Sequence, residues 1–502
     1  MQHSDPDMGL LCSSTAHDDP LPHPSSVLSS PPPPPLDPFP LLDLPQEVIL
    51  AIVHHADERN PSPTFPSGPS DTLLALSQIN RWFRSVCDPL VWRSVSYRPT
   101  SHLRPATWRA KRDLRALRDL VVARQQGGQG GGGGVRPTLP IMQLSVDELT
   151  SLEAQEDNEA QEEEDAWVEL VEALATGEGA TLQVLFLKDI EMSAESGRRL
   201  LHAMAAPTSR LSALRFNQVE FFPNHPDVVR TMEPLNRIKT LQIMHSDPEL
   251  FDLTDLCPSI DSLLLWPQSR RMRRRLPAIL RLLPHLRNLS LDAVHECDVF
   301  RDVADEVLRL SSLPTAAPLP LEELFLEGPS RQEDLRVLLQ AFAHLPHLKR
   351  LALYQVQEPS PALFDELARA APQLQALTVV AGDCQEPCEW PEPLEAYLPA
   401  LSRFPSLRFL ATDRLTEPRE ETPGNGVWLL QKRLEFEGMA LLARACKSLR
   451  EAVALTRDVS DGSAGYFATF TREKGRTRIT LKHKTVNDFL IAYDRWVRVE
   501  DD

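Results

Sequence analysis

One short pattern of apolar and polar positions recurs through the chain from residue 181 onward. Each copy has an apolar residue, two variable residues, a leucine, one variable residue and a second apolar residue. The copies are LQVLFL (182–187), LSALRF (211–216), IKTLQI (238–243), IDSLLL (260–265), LRNLSL (286–291), LEELFL (321–326), LKRLAL (348–353), LQALTV (374–379) and the weaker LRFLAT (407–412), with a worn tenth in LREAVAL (449–455). Their starts lie 22 to 35 residues apart, except for 42 residues before the tenth. So many copies indicate a repeat protein rather than coincidence.

The alternation inside each copy predicts a short strand, with the fourth and sixth residues pointing inward and the fifth outward. The stretches between copies carry apolar stripes at helical spacing. They are Arg199–Ala206, Arg275–Leu283, Val303–Leu310, Asp334–Phe342 and Ala362–Ala370. The interval is close to the 20–29-residue period of leucine-rich repeats, so 166–456 is predicted to be a curved α/β solenoid of parallel strands and helices. Most copies lack the usual Asn or Cys at the ninth position, so the repeat is irregular.

A different alternation follows residue 456. Apolar and polar residues alternate on both sides of a Lys474-Gly475 turn, which predicts a hairpin over 465–486. A last helix is predicted from Asn487-Asp488 onward. We interpret 457–502 as a cap that closes the end of the solenoid.

Helical spacing also marks the segment 41–97. Asp43 can cap a first helix, with Pro45 in its first turn, and Val48 begins its apolar stripe. Helix breakers fill 60–70, and a second run of apolar residues follows Asp71. The pattern predicts a small all-α module. A connecting helix is predicted within 98–126.

The predicted folded parts are preceded or separated by segments whose composition cannot form a hydrophobic core. Residues 1–40 are rich in Pro and Ser, which predicts a disordered leader and leaves a docking site for a proline-reading domain as the alternative. GGQGGGGG (127–134) predicts a flexible tether. The eight carboxylates of 153–165 predict a solvated segment, with a partly helical segment as the alternative. The whole of 127–165 is therefore predicted to be a flexible linker.

Charge narrows the classes of partner. The net charge is −18, and thirteen Asp or Glu but no Lys or Arg lie between Pro137 and Leu187. An acidic surface repels phosphate backbones and anionic lipids, so neither nucleic acid nor membrane is expected as a partner. SRRMRRR (269–275), with the Arg270–Arg275 cluster, is the strongest basic signal. It fits a solvated helix face, a nuclear-import signal or a pocket for a phosphorylated substrate.

Cysteines and apolar runs bear on location and chemistry. Seven scattered cysteines indicate a reducing compartment, cytoplasmic or nuclear. The opening MQHSDPDMGL lacks the features of a signal peptide, and no run of about 18 apolar residues predicts a membrane span. His54-His55 point about 100° apart on a helix, and Cys384 and Cys388 have no second pair nearby. No metal, cofactor or catalytic site is therefore expected.

The segment 41–97 resembles the F-box, a three-helix motif that binds the Skp-type adaptor of SCF (Skp–cullin–F-box) ubiquitin ligases. Three features occur in order: Leu44-Pro45-Gln46-Glu47-Val48, the core LSQINRWFR (76–84) and the closing DPLVWR (88–93). The repeats extend the resemblance to F-box/leucine-rich-repeat proteins. The Pro-rich insert 60–70 departs from the motif, and it bears on how the helices pack and bind the adaptor.

The resemblance implies a noncatalytic substrate receptor. The F-box would dock on the Skp-type adaptor, which binds a cullin, and the solenoid would hold a protein substrate for proteasomal degradation. It assigns the adaptor interface to Leu44, Pro45, Val48, Ile49, Ile52, Leu74, Ile79, Leu90 and Trp92, which could instead pack on one another. The alternatives are a scaffold that uses the adaptor without the cullin and a leucine-rich-repeat interaction protein outside ubiquitin transfer.

The outward strand positions are the predicted substrate contacts, because exposed aromatic and Arg side chains on a concave sheet are typical anchors. They are Phe186, Arg215, Gln242, Leu264, Trp266, Asp292, Phe325, Arg350 and Tyr354.

Overall fold

The fold is known from a computed structural model of the chain. The residues it describes are 45–58, 71–97, 114–123, 141–149, 157–176, 180–221, 233–246, 248–266, 276–282, 284–292, 299–313, 318–330, 332–357, 359–381, 390–412, 438–457, 464–473 and 476–485. The chain forms two compact units, Met1–Ile52 and Val53–Asp502. All described strands belong to the second unit.

Fourteen strands form one open sheet in which each strand pairs with the next in chain order. They are β1 (Ser94–Tyr97), β2 (Gln143–Leu149), β3 (Val184–Met192), β4 (Ala213–Phe221), β5 (Thr240–Met244), β6 (Ser262–Trp266), β7 (Asn288–Asp292), β8 (Glu323–Ser330), β9 (Arg350–Val356), β10 (Ala376–Ala381), β11 (Phe409–Thr412), β12 (Glu451–Arg457), β13 (Ala464–Glu473) and β14 (Arg476–Thr485). β1 to β12 are parallel, whereas β13 and β14 run antiparallel to their neighbours.

Helices alternate with the parallel strands, as a repeat of strand and helix requires. The described helices are Gln46–Glu58, Asp71–Ile79, Arg81–Val91, 114–123, Asp157–Ala175, Ala194–Ala205, Leu253–Leu256, Leu276–Leu282, Val299–Ser311, Gln332–Phe342, Pro361–Ala370, Leu394–Leu401 and 438–445. The five helical stretches predicted between the repeat strands are all present. The α/β repeat with a parallel sheet is therefore confirmed.

The core lies between the helices and one face of the sheet. The fourth residue of each of the first nine copies and the sixth residue of the first eight, such as Leu185 and Leu187, are buried in one continuous cluster that also contains the helix stripes. Because successive residues of a strand point to opposite faces, burying these two leaves the fifth residue on the other face. No single repeat could bury its leucines alone, so stacking supplies the core.

The sheet begins two strands earlier than the sequence pattern predicts. β2 lies within the predicted linker 127–165, and Leu144 and Val146 are buried in the common core. Its sequence, IMQLSV (141–146), has the same apolar positions as the repeat. Because this copy starts 41 residues before the next one, outside the interval of most other copies, the sequence pattern alone assigned it to the linker. β1 extends the sheet once more, in register with β2.

The acidic segment is another correction to the predicted linker. Residues from Asp157 onward form the helix Asp157–Ala175, and four of its carboxylates have cationic partners. Arg199 donates to Asp165 and Glu172 at 3.1 and 2.7 Å. Arg115 and Arg118 of the helix 114–123 contact Glu162 and Glu169, respectively, at 2.7 and 3.1 Å. Ion pairing across elements thus allows a segment with a high density of carboxylates to be helical.

A left-handed residue occupies the eighth position of several copies of the repeat. The φ angles are +51° at Asp189, +52° at Gln218, +47° at His245 and +60° at Gln355. This backbone conformation turns the ninth residue back into the core, where Ile190, Val219 and Val356 are buried. An apolar ninth residue therefore replaces the usual Asn in these copies.

Ser246 supplies a polar version of the ninth position. Its hydroxyl donates to the carbonyl of Met244 at 2.7 Å and accepts the N–H of Val219 at 3.1 Å. One small side chain thus connects two adjacent repeats, as a ladder of Asn residues would.

The eighth position should discriminate strongly between side chains. We expect Gln218→Val to lower the free energy of unfolding by about 1–3 kcal/mol, because a β-branched residue is strained at positive φ. Gln218→Gly should stay within about 1 kcal/mol of the parent chain, since glycine accepts this φ. Denaturant titration measures both. Glu220→Val, at an exposed strand position of ordinary φ, is the control, and a loss equal to that of Gln218→Val would contradict the explanation.

The helices of 71–91 form a pair rather than one continuous run. Asn80 separates them, and its side-chain oxygen accepts the N–H of Phe83 at 2.9 Å, which caps the second helix. This second helix runs through Asp88-Pro89 and continues to Val91. Leu73, Phe83 and Cys87 are fully buried.

The C-terminal hairpin is present as predicted, with Glu473 paired to Arg476 across the Lys474-Gly475 turn. It continues the sheet, because β13 pairs with β12. The helix predicted from Asn487 lies outside the described residues, and so does the leader 1–40.

Candidate functional site

The sheet face opposite the helices, here called the open face, carries three rows of residues set by strand register. The middle row holds the fifth residue of each copy. It runs through Ser145, Phe186, Arg215, Gln242, Leu264, Ser290, Phe325, Ala352, Thr378 and Ala411. The third residues of the copies form the first row, and the seventh residues form the third row, which runs from β2 to β9. Parallel in-register pairing thus places residues from ten repeats in line.

The nine predicted substrate contacts all occupy positions of the open face. Phe186, Arg215, Gln242, Leu264 and Phe325 belong to the middle row. Arg350 belongs to the first row, whereas Trp266, Asp292 and Tyr354 belong to the third. The register therefore brings them to one face, but spreads them from β3 to β9.

Their exposure differs widely. Phe186, Arg350 and Phe325 are only 3%, 5% and 8% exposed. Arg215, Gln242, Leu264, Trp266 and Tyr354 are half-buried, and the side chain of Asp292 lies outside the description. Half-buried Trp266 and Tyr354 have the larger accessible surface for a partner among the aromatic positions.

The face is apolar where β8 to β11 cross it. Phe325, Ala352 and Ala376 form a cluster separate from the main core, with Tyr354 and Phe409 packed against it. The rings of Phe325 and Tyr354 lie 4.9 Å apart. Such aromatic contact gives a rigid platform, because the rings lose little conformational entropy on binding.

One buried charge pair borders this platform. Arg350 Nη1 lies 2.8 Å from Glu323 Oε1, on the neighbouring strand in the same row. The guanidinium is 5% exposed and the carboxylate 21%. Pairing of this kind is what makes a nearly buried arginine acceptable on a sheet.

The face is polar where β2 to β4 cross it. Lys188 Nζ lies 3.1 Å from Asp147 Oδ1 and 2.9 Å from Asp189 Oδ2. Burial opposes the charge of Lys188, but the hydrogen bonds to Asp189 and Asp147 outweigh it and raise its pKa. Asn217 continues the row next to Lys188, and its side-chain oxygen is buried without a hydrogen-bond partner.

His245 and Trp266 form a third feature, at the centre of the sheet. Their ring centroids are 4.3 Å apart, and the left-handed backbone at His245 brings the imidazole beside the indole. Desolvation lowers the pKa of His245 below its ordinary value. The lowered pKa favours the neutral imidazole, so the two tilted rings give a mostly apolar contact surface.

The predicted adaptor contacts are divided between exposed and buried positions. Val48 and Ile79 are 42% and 47% exposed, and Pro45 is exposed as well. Ile49 is buried, and Ile52 and Leu90 are half-buried. Leu44 and the side chain of Leu74 are not among the parts of the chain that the structure describes.

Trp92 is placed differently from the other predicted adaptor contacts. It is half-buried and packs against the main core, as Val95 of β1 does. The end of the segment 41–97 is therefore part of the repeat sheet. Trp82, which the sequence did not single out, is 37% exposed and contacts Phe83 edge to face at 5.2 Å. The only signal in the sequence was a tryptophan within the LSQINRWFR motif.

The described residues offer little for chemistry. Cys87, Cys257 and Cys446 are buried, and burial raises the pKa of Cys257 to about 12, which disfavours the nucleophilic thiolate. Within the described ranges, no three His, Cys, Asp or Glu side chains are arranged to hold a metal ion. None of the described helices is long and apolar enough to cross a membrane. The Arg270–Arg275 cluster, Cys384 and Cys388 lie outside the described residues.

Comparison with known proteins adds a distant structural likeness. No protein-family model matches the chain, and no curated protein matches it. Among solved structures, one chain from a crystal structure of the Rad7 and Elc1 complex in yeast is 15% identical, with a TM-score of 0.30. The match covers 71% of this chain and 97% of that chain. At this identity and TM-score the likeness carries no inference about function.

Proposed function

We propose that this protein is a noncatalytic substrate receptor of an SCF-type ubiquitin ligase, in the cytoplasm or nucleus. The helical segment 41–97 docks the Skp-type adaptor and through it the cullin. The open face of the sheet holds a protein substrate. No cofactor takes part, because the contribution of the receptor is to raise the effective concentration of a substrate lysine near the ubiquitin-charged enzyme.

The observation that carries this proposal is the exposure of two apolar side chains within the motif that resembles the F-box. Ile79 and Trp82 are 47% and 37% exposed, while Leu73, Leu76 and Phe83 of the same helix pair are buried. The pair therefore has a core of its own and still presents large apolar groups outward. Burying such a side chain in an interface contributes about 1.5–3 kcal/mol, which favours a partner at this position.

A second function is favoured by a separate observation. Trp92 and Val95 pack against the core of the repeats, so the helices of 71–91 lead directly into the first strand. Terminal repeats need a covering element to protect their core. The helices would then cap a leucine-rich-repeat interaction protein that takes no part in ubiquitin transfer.

Co-purification of the Skp-type adaptor and cullin separates the two. We expect the full chain to capture both proteins. The double variant Ile79→Asp/Trp82→Ala should capture at least tenfold less adaptor, because a buried apolar contact is replaced by a charge and a cavity. Leu120→Asp is the matched control, since Leu120 is 38% exposed on the helix 114–123. It should retain capture.

If no adaptor co-purifies with the folded full chain, the second function is favoured. Capture that survives in the double variant would place the adaptor elsewhere on the chain. If the adaptor binds without the cullin, and proteasome inhibition leaves bound partners at unchanged levels, the protein is a scaffold rather than a ligase receptor.

A further inference from the structure

The last strand of the sheet has one described neighbour. β14 pairs with β13 and stands at the end of the strand order, so among the described strands its other side is an edge. It has ten residues, whereas β1, at the opposite end of the sheet, has four. Proteins usually keep exposed edges short, because an edge of this length can pair with a further strand.

The edge offers a regular set of backbone groups. In an antiparallel hairpin closed by a two-residue loop, the closing pair exchanges both hydrogen bonds, and bonded and non-bonded pairs then alternate. The closing pair is Glu473 and Arg476. The N–H and C=O groups that point away from β13 therefore belong to the odd-numbered residues. They are Thr477, Ile479, Leu481, His483 and Thr485.

The even-numbered positions carry the charge. Arg476, Arg478, Lys482 and Lys484 alternate with uncharged or imidazole side chains, and the strand contains no Asp or Glu. This is a concentrated positive charge in a chain of net charge −18. Alternate residues of a strand occupy the same face of the sheet, so the backbone places these four positions on one face.

Strand register places that face on the same side as the open face. Arg478 pairs with Thr471, which pairs with Glu451, a member of the first row. Lys482 pairs with Phe467, which pairs with Leu455, two residues after the middle-row position of Val453. The basic positions of β14 therefore extend the open face at its C-terminal end.

We propose that the β14 edge binds an extended acidic peptide as an additional strand of the sheet. Asp or Glu at every second residue of the peptide would lie beside the basic positions, and apolar residues between them would continue the row of Ile479 and Leu481. Backbone hydrogen bonds give the affinity and cross-strand pairs of opposite charge give the selectivity. The inference goes beyond the adaptor role and does not depend on it.

Two other occupants fit less well. A second copy of β14 would place Arg and Lys beside Arg and Lys on the same face, and like charges directly opposite are destabilising. A nucleic acid would match the charge but has no extended amide backbone to pair with the outward groups of Ile479 and Leu481. Only a polypeptide of alternating acidic character satisfies both features.

The test uses the full chain and a fluorescent ten-residue peptide of alternating Glu and Val, measured by anisotropy at 0.15 M salt. We expect saturable binding, and at least a tenfold weaker affinity for the same peptide N-methylated at every second residue, which cannot form the outward hydrogen bonds. An alternating Lys and Val peptide should bind at least tenfold more weakly as well. Leu481→Pro removes an outward N–H without removing a bond to β13, and should weaken binding tenfold, whereas Leu481→Val should not.

A charge-reversal variant distinguishes a loss of charge pairing from a disturbed hairpin. Arg478→Glu with Lys482→Glu should reverse the preference, so that the Lys and Val peptide binds more tightly than the Glu and Val peptide. Equal binding of the N-methylated peptide, or full displacement by a uridine oligonucleotide with no effect of Leu481→Pro, would show attraction by charge alone and overturn the proposal. Absence of binding to the full chain would also overturn it, and would assign the basic residues to protection of the edge against aggregation.

Discussion

Replacing Trp167 with alanine is expected to lower the free energy of unfolding by about 3–5 kcal/mol. The indole is 1% exposed in the main core, on the helix Asp157–Ala175. Its removal leaves a cavity between this helix and the strands beneath it, and surrounding side chains relax only in part. Denaturant titration followed by circular dichroism measures the loss.

Glu162→Ala is the matched control on the same helix. Its carboxylate is 65% exposed and contacts Arg115 at 2.7 Å, so the variant should change the unfolding free energy by less than about 1 kcal/mol. Similar small changes for both variants would mean that the helix does not belong to the cooperative core. The comparison therefore tests whether the acidic segment is structural or a linker.

Arg350→Met is expected to cost about 2–4 kcal/mol, because it leaves Glu323 next to an apolar platform without the guanidinium at 2.8 Å. Adding Glu323→Gln to this variant should recover part of the loss, since the unpaired charge is then removed. A double-mutant cycle in denaturant measures the coupling between the two side chains.

Arg403→Met is the control for this pair. Arg403 contacts Asp365 at 3.0 Å but is 58% exposed, so its removal should cost less than about 1 kcal/mol. Equal losses for Arg350→Met and Arg403→Met would show that burial on the open face adds nothing to the pair. The open face would then be more solvated than its 5% exposure at Arg350 indicates.

Adaptor docking and peptide binding, as proposed above, use different parts of the chain. Adaptor docking depends on Ile79 and Trp82, whereas strand addition depends on the edge of β14. The rows between them offer an apolar platform around Phe325 and Tyr354 and a polar region around Lys188. A receptor whose contacts are spread over many strands can hold one partner at several points, which raises affinity without a deep pocket.

The repeat could be predicted because its signal is periodic and local. A buried leucine at the fourth position and an apolar residue at the sixth recur regardless of the loop between copies, so Leu185, Leu214 and Leu241 were all identifiable. The copy IMQLSV was missed for the same reason. A single copy that follows a glycine tether and lies far from its neighbour has no periodicity to support it.

The candidate site could be predicted only in part. Alternation along a strand was enough to assign Phe186, Arg215 and Tyr354 to the face opposite the leucines. Exposure was not predictable, because it depends on neighbours from other strands: Phe186 is 3% exposed, whereas Trp266 is half-buried. Trp82 was overlooked because adjacent helical positions, here Trp82 and Phe83, differ in burial only once the helices pack.

The sequence by itself determined which residues could form strands, which of their side chains face together and where charge accumulates, since these follow from local spacing and composition. Tertiary structure decided the rest through contacts between distant segments. The segment around Glu162 and Glu169 is a helix rather than a solvated linker because its apolar stripe, with Trp167, is buried in the main core, while Arg115 and Arg118 pair with its exposed carboxylates. The left-handed φ of Gln218 and Gln355 is maintained by stacked repeats that bury the following residue, a constraint that no local pattern expresses.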